Sequence, residues 1–149
     1  MGAQIAAHCV NAKVPVILFD LPAATGDKNA VVVKAIEGLK KLNPAPLGHN
    51  DLAALIQPAN YEQHLDLLKD CDLVIEAIAE RMNLKHDMYK KVTPFLAPHA
   101  IFATNTSGLS ITQLSEGFEG ELKGRFCGVH FFNPPRYMHL AELIPTAST

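Results

Sequence analysis

What this sequence lacks narrows its chemistry before any motif is read. It has no tryptophan and only three cysteines, Cys9, Cys71 and Cys127, far apart and without a CxxC pair. That excludes a disulfide framework and a zinc ribbon, and points to small buried hydrophobes in a reducing, cytoplasmic setting. Seven histidines are present, but none in an HExxH and none beside a cysteine pair, so no metal centre is expected. No apolar run approaches the ~20 residues that span a bilayer, and the start has neither a basic segment nor a long apolar core, so neither a membrane span nor a signal peptide is expected. Net charge is −2, and no Lys/Arg cluster sits beside stacking aromatics, which argues against a nucleic-acid partner.

What is present fits one domain of 149 residues, 48% hydrophobic. Residues 2–13 place Ile5, Ala6, Cys9 and Val10 on one helical stripe. The apolar run 14–20 reads as a buried parallel strand ending at Asp20. Residues 27–42 read as a helix capped by Asp27, 43–50 as a loop, 52–57 as a short strand stopping before Pro58, and 60–69 as a helix. Strands follow at 71–80, 100–107, 125–135 and 138–145, with helices at 82–97 (broken or kinked by Pro94) and 112–117. The alternation predicts an α/β domain with a mainly parallel sheet, whose ligands sit outside the carboxyl ends of the strands. That rule would gather Asp20, Glu80, Asn105, Ser107 and His130 along one rim.

Asp20 closes a strand that follows a glycine and a helix. A dinucleotide-binding fold needs a carboxylate there for the adenosine ribose hydroxyls. Leu21 and Pro22 follow, with no arginine for a 2′-phosphate, so NAD is favoured over NADP. Gly2 matches the third glycine of GxGxxG, although one glycine also starts an ordinary helix. Asn105, Thr106 and Ser107 could offer donors to a substrate oxygen, and they are equally ordinary turn residues. His130 interrupts an apolar strand, and Glu142 lies in the next. A lone histidine there is more often a satisfied core residue, and a half-buried carboxylate needs a partner. A His–carboxylate pair explains both and supplies a general base with a fixed tautomer.

The stretches "MGAQIAAH", "VIEAIAE", "IFATNTSGLSI" and "GVHFFNPPRYMHLAELIP" together resemble the NAD-binding domain of the 3-hydroxyacyl-CoA dehydrogenase family of fatty-acid β-oxidation. The resemblance runs through nearly the whole chain and is most specific at "HFFNP" with its downstream glutamate. It implies a Rossmann-like, mainly parallel sheet with helices on both faces, and oxidation of L-3-hydroxyacyl-CoA to 3-ketoacyl-CoA with NAD. His130 would be the base, Glu142 its partner, and Ser107 a hydrogen-bond donor to the substrate oxygen. Glu80 and Lys85 would lie on the nicotinamide and cofactor side, with Asn105 and Asn133 lining the same cleft. A basic residue of the second helix, Lys40 or Lys41, would help to hold CoA. Gly108 stands where the family commonly has serine. "FFNPPRYM…ELIP" looks most like bacterial members that carry a hydratase-like region.

Against that pattern, the first central strand and the two leading glycines are missing, as is the C-terminal helical domain. Residues 1–149 are therefore expected to be a partial NAD-binding domain, inactive alone, which self-associates or pairs with the missing segments through unpaired strand edges. Two alternatives stay open: a non-catalytic nucleotide-fold remnant or assembly module, and another β-hydroxyacid dehydrogenase.

Overall fold

Ile5, Ala6 and Val10 recur at helical spacing, and they are buried along α1 (Gly2–Asn11). The computed structural model describes all residues 1–149. Two units pack around separate cores: Met1–Leu65 with Phe132–His139, and Asp66–Phe131 with Leu140–Thr149.

In the first unit, α1 ends at Asn11, and Lys13 turns the chain in the left-handed region (φ 62°). β1 (Val16–Asp20) follows, then α2 (Ala30–Leu39), whose Val32, Ile36 and Leu39 form the buried face. The helix starts three residues after Asp27, because the Asp27 carboxylate accepts the Asn29 N–H at 2.9 Å and its carbonyl accepts that of Ala30. β2 (Ile56–Asn60) pairs in parallel with β1, Val16 opposite Ile56 and Asp20 opposite Asn60. A right-handed crossover is the rule for such βαβ units. Ala6, Ala7, Val10, Val32, Ile36, Leu39, Leu47, Ala53 and Ile56 make the core.

Two expectations fail here. The strand expected at 52–57 is instead Ile56–Asn60, running through Pro58, and Asn50–Leu55 ahead of it coil into a 3₁₀ segment. β2 has only β1 as a neighbour, and an edge strand tolerates a residue without an N–H. Residues 60–69 are not a helix. Asn60 is fully buried, and its side-chain oxygen accepts the N–H groups of Glu62 and Gln63, so a turn forms, and only Leu65–Asp70 coil into a 3₁₀ segment.

The second unit holds a four-stranded sheet in the order β3 (Leu73–Glu76), β4 (Ile101–Thr104), β5 (Phe126–Phe131), β6 (Ala141–Ile144). The first three are parallel, and β6 is antiparallel to β5. α3 (Met82–Val92) stops where Pro94 enters, and Thr93–Phe95 tighten into a 3₁₀ turn. α4 (Ile111–Ser115) is capped by the Ser110 hydroxyl, which accepts the Gln113 N–H, and α5 (Gly120–Lys123), which the sequence reading missed, is a single turn. The core is aromatic. Tyr89 stacks on Phe118 with centroids 4.7 Å apart and meets Phe102 edge-on at 5.1 Å, while Phe126 closes the group. Such pairs contribute about 0.5–1.5 kcal/mol each beyond area burial.

The parallel α/β architecture matches expectation, but the ladders form two sheets, β1–β2 and β3–β4–β5–β6, rather than one. β1 and β3 each have a single strand neighbour.

Candidate active site

In the second unit, β5 and β6 set His130 directly opposite Glu142 on one rung of the ladder. His130 Nδ1 lies 2.7 Å from Glu142 Oε2, with 16% and 46% of the two side chains exposed. The contact fixes the proton on Nδ1 and makes Nε2 the basic nitrogen. Gly128, two residues before His130, allows this rung to form. A Cβ there would lie 2.9 Å from Ile111 Cδ1 and 3.0 Å from Ile144 Cβ.

The neighbouring strand ends are tied to that rung. Asn105 Oδ1 accepts the Phe131 N–H at 2.8 Å, so Asn105 is a strut beneath the histidine strand. Ser107 follows at an exposed turn. Glu80 Oε1 accepts the Ser107 N–H at 2.9 Å, the Gly108 N–H at 2.8 Å, and the Thr106 hydroxyl. Burial raises the Glu80 carboxyl, but the hydrogen bonds from Thr106, Gly108 and Ser107 and the charge of Lys85 outweigh it and hold the group below its ordinary range.

Lys85 Nζ and Glu80 Oε2 lie 3.7 Å apart. The lysine, however, is wholly buried, and its ammonium donates to Glu76 Oε1 at 2.6 Å, so it works beneath the loop rather than on its surface. Glu76, given no role from sequence, also accepts the Ile78 N–H at 2.7 Å, the Thr104 hydroxyl at 2.7 Å and the Tyr89 hydroxyl at 3.0 Å. Burial first, then the Glu76 charge, pushes the Tyr89 phenol far above its usual range, so it remains a donor. A carboxylate in an apolar strand, nine residues before a lysine in the first turns of a helix, was the available signal.

In the first unit, Gly2 opens α1, whose N-terminus has no side-chain cap and no acidic residue in its first turn. Asp20 ends β1, and its Oδ1 accepts the Leu21 N–H at 2.7 Å. Lys28 and Glu62 form an ion pair at 3.2 Å at the same end of the strands, and Asn60 Nδ2 donates to Asn29 Oδ1 at 2.7 Å. Asn133 is exposed, in the 132–139 segment of this unit. Lys40 and Lys41 directly follow the end of α2. α2 runs back from the carboxyl end of β1 toward the amino end of β2, so its last residues stand at the edge opposite Asp20. Lys40 is held by Glu37 at 2.8 Å. Lys28 is the cation at the Asp20 end.

Burial raises all three thiols, and Asp70 and Asp72 raise Cys71 further.

Parallel ladders with intervening helices and an aspartate ending β1 have the pattern of a dinucleotide-binding domain. The comparisons narrow this. The family model described as "3-hydroxyacyl-CoA dehydrogenase, NAD binding domain" matches residues 1–149. The chain belongs to the 3-hydroxyacyl-CoA dehydrogenase family, as its NAD-binding domain. It is 43% identical over 150 residues to a probable 3-hydroxyacyl-CoA dehydrogenase of Deinococcus radiodurans, covering 100% of this chain and 43% of that protein. It is 46% identical over 145 residues to a putative fatty acid oxidation complex trifunctional enzyme of Rickettsia felis, covering 97% of this chain and 20% of that protein. Among solved structures, (S)-3-hydroxybutyryl-CoA dehydrogenase from Ralstonia eutropha superposes with a TM-score of 0.75 at 32% identity, covering 100% of this chain and 52% of that one. The chain thus spans less than half the length of both named relatives.

The residues present fit NAD. The uncapped, acid-free start of α1 offers N–H donors and the positive end of a ten-residue helix to a phosphate. Asp20 engages its own loop through one oxygen, leaving the other for a ribose hydroxyl.

Proposed function

We propose that this chain provides the cofactor-binding and proton-handling part of an NAD-dependent 3-hydroxyacyl-CoA dehydrogenase, which oxidises L-3-hydroxyacyl-CoA to 3-ketoacyl-CoA in fatty-acid β-oxidation. The observation that carries this is the His130–Glu142 contact across one ladder rung. His130 Nε2 takes the proton of the 3-hydroxyl group, and the Glu142 carboxylate stabilises the imidazolium that results. The Ser107 hydroxyl donates to the substrate oxygen, on a turn that Glu80 fixes. Bound NAD supplies the two-electron acceptor for the hydrogen leaving C3. Asp20 takes the adenosine ribose; Glu80, Asn105 and Asn133 serve the nicotinamide side, and Lys85 supports Glu80.

The test is a chimera in which this chain replaces the matching stretch of the Deinococcus relative. His130→Ala is expected to lower kcat about 10²–10⁴-fold, the usual contribution of a general base. Near-full turnover would remove His130 from the mechanism. Acetoacetyl-CoA turned over in preference to free 3-oxo acids separates this reading from another β-hydroxyacid dehydrogenase. The trifunctional name of the Rickettsia relative supports a parent fused to further domains, of which we take one to be a hydratase-like region, and a cytoplasmic site of action accompanies the bacterial reading.

A second reading, a non-catalytic assembly module, has one observation in its favour. β1 and β3 each present an edge without a strand partner, flanked or lined by exposed Val14 and Leu73. Such edges pair with other chains. Self-association of the 149-residue chain should appear in sedimentation velocity as a concentration-dependent dimer; a monomer at all concentrations rejects it. Tight NAD binding in calorimetry argues against the remnant reading, whereas silence leaves the family reading standing.

A further inference from the structure

Glu76 is a buried carboxylate whose four acceptor positions are all filled. Oε1 takes Lys85 Nζ and the Ile78 N–H; Oε2 takes the Tyr89 and Thr104 hydroxyls. Its backbone carbonyl accepts the Asn105 N–H at 2.8 Å. One residue therefore ties the loop after β3, the first turns of α3 and the end of β4. A buried ion pair is a poor device for stability, because an apolar replacement of the same volume commonly does as well. Something other than stability accounts for it.

The geometry points to Glu76 as a positioning residue for the substrate-facing turn at Ser107. Glu76 holds Lys85. Lys85 reaches the Ile78 carbonyl at 3.5 Å and stands 3.7 Å from Glu80 Oε2. Glu80 then fixes the Ser107 and Gly108 N–H groups with its other oxygen. The same Glu76 anchors Asn105, whose side chain holds Phe131, the residue after His130. Two routes thus run from one buried residue: its carboxylate leads through Lys85 and Glu80 to the Ser107 turn, and its backbone carbonyl leads through Asn105 to the strand of the base. The catalytic meaning rests on the reading of Ser107 and His130 given above, but the positioning itself can be measured without turnover.

The experiment is residue-resolved amide exchange by NMR on the 149-residue chain, with urea unfolding beside it. Three forms are compared: the parent, Glu76→Gln, and Glu76→Gln combined with Lys85→Met. The double variant leaves no unpaired buried charge, so it keeps the fold even if the single variant does not. The positioning role predicts exchange at Ser107 and Gly108 at least about 10-fold faster in the double variant, with Phe102 and Ala103 of β4 unchanged. Exchange that rises equally at all four sites marks a purely structural residue and overturns the proposal. So does a Ser107–Gly108 pair that stays as protected as in the parent, or one that is unprotected in the parent itself. Failure of the His130 chimera would leave these outcomes untouched, so the two ideas fail separately.

Discussion

His130 and Glu142 face each other on one rung of the antiparallel β5–β6 ladder, Nδ1 2.7 Å from Oε2. Backbone pairing, not a flexible side-chain reach, brings them together. Glu142→Gln keeps the shape and the acceptor oxygen but removes the charge that stabilises the imidazolium. In the chimera with the Deinococcus relative, kcat should fall by about 10²-fold or more, with the KM for acyl-CoA changed far less. A fall confined to KM would assign Glu142 to substrate binding instead.

That pair was legible in the sequence for a physical reason. A histidine in an apolar strand and a glutamate in the next each need a partner, and strand pairing lets them meet. Asp20 was legible through its position after a glycine, a helix and an apolar run. The Glu76 hub was not, because a strand-end glutamate looks solvated until a lysine nine residues on folds back over it. Lys40 and Lys41 were named only through the family resemblance, as the basic residues nearest on the second helix. The crossover direction of α2, a property of the pairing of β1 with β2, sends them to the other edge. Residues 60–69 were misread because leucines three apart suit a 3₁₀ turn as well as an α-helix.

Gly128→Ala tests how tightly the rung is packed. The added methyl meets Ile144 Cβ at 3.0 Å, on the strand that carries Glu142, and Ile111 can yield only at its far end. The expected loss is about 1–3 kcal/mol in urea unfolding. The His130 ring resonances should also shift as β6 moves away. A neutral substitution would show that β6 accommodates the methyl freely.

Asn11 closes the first unit at the amino ends of its strands. Its Nδ2 donates to the Pro46 carbonyl at 2.8 Å, and its Oδ1 accepts the Gly48 N–H at 2.7 Å. Arg136 holds the same loop through the Ala45 and Leu47 carbonyls at 2.8 and 2.5 Å. Asn11→Ala strands one donor and one acceptor and should cost about 1–3 kcal/mol. Asn11→Asp keeps only the acceptor and should fall between the two in urea midpoint. Parity of the alanine variant with the parent would mean that Arg136 and Tyr137, whose hydroxyl donates to the Ala45 carbonyl at 2.8 Å, secure the loop without Asn11.

Glu80 makes the fold sensitive to acid in a calculable direction. Its folded carboxyl lies below the ordinary 4.5, because the bonds from Thr106, Gly108 and Ser107 and the Lys85 charge outweigh the opposing effect of burial. A group depressed in the folded state adds stability above its unfolded pKa and loses it as pH falls through the folded value. The parent should therefore exceed Glu80→Gln in stability at pH 6–7, by a margin that shrinks below pH 4.5 and closes once the folded carboxyl is protonated. With 43% of the side chain exposed, the margin is modest and should also narrow in high salt. Urea midpoints of both forms across that range give the measurement. A gap that is flat with pH would mean that the Glu80 contacts stabilise by shape alone and that its charge contributes nothing to the Ser107 turn.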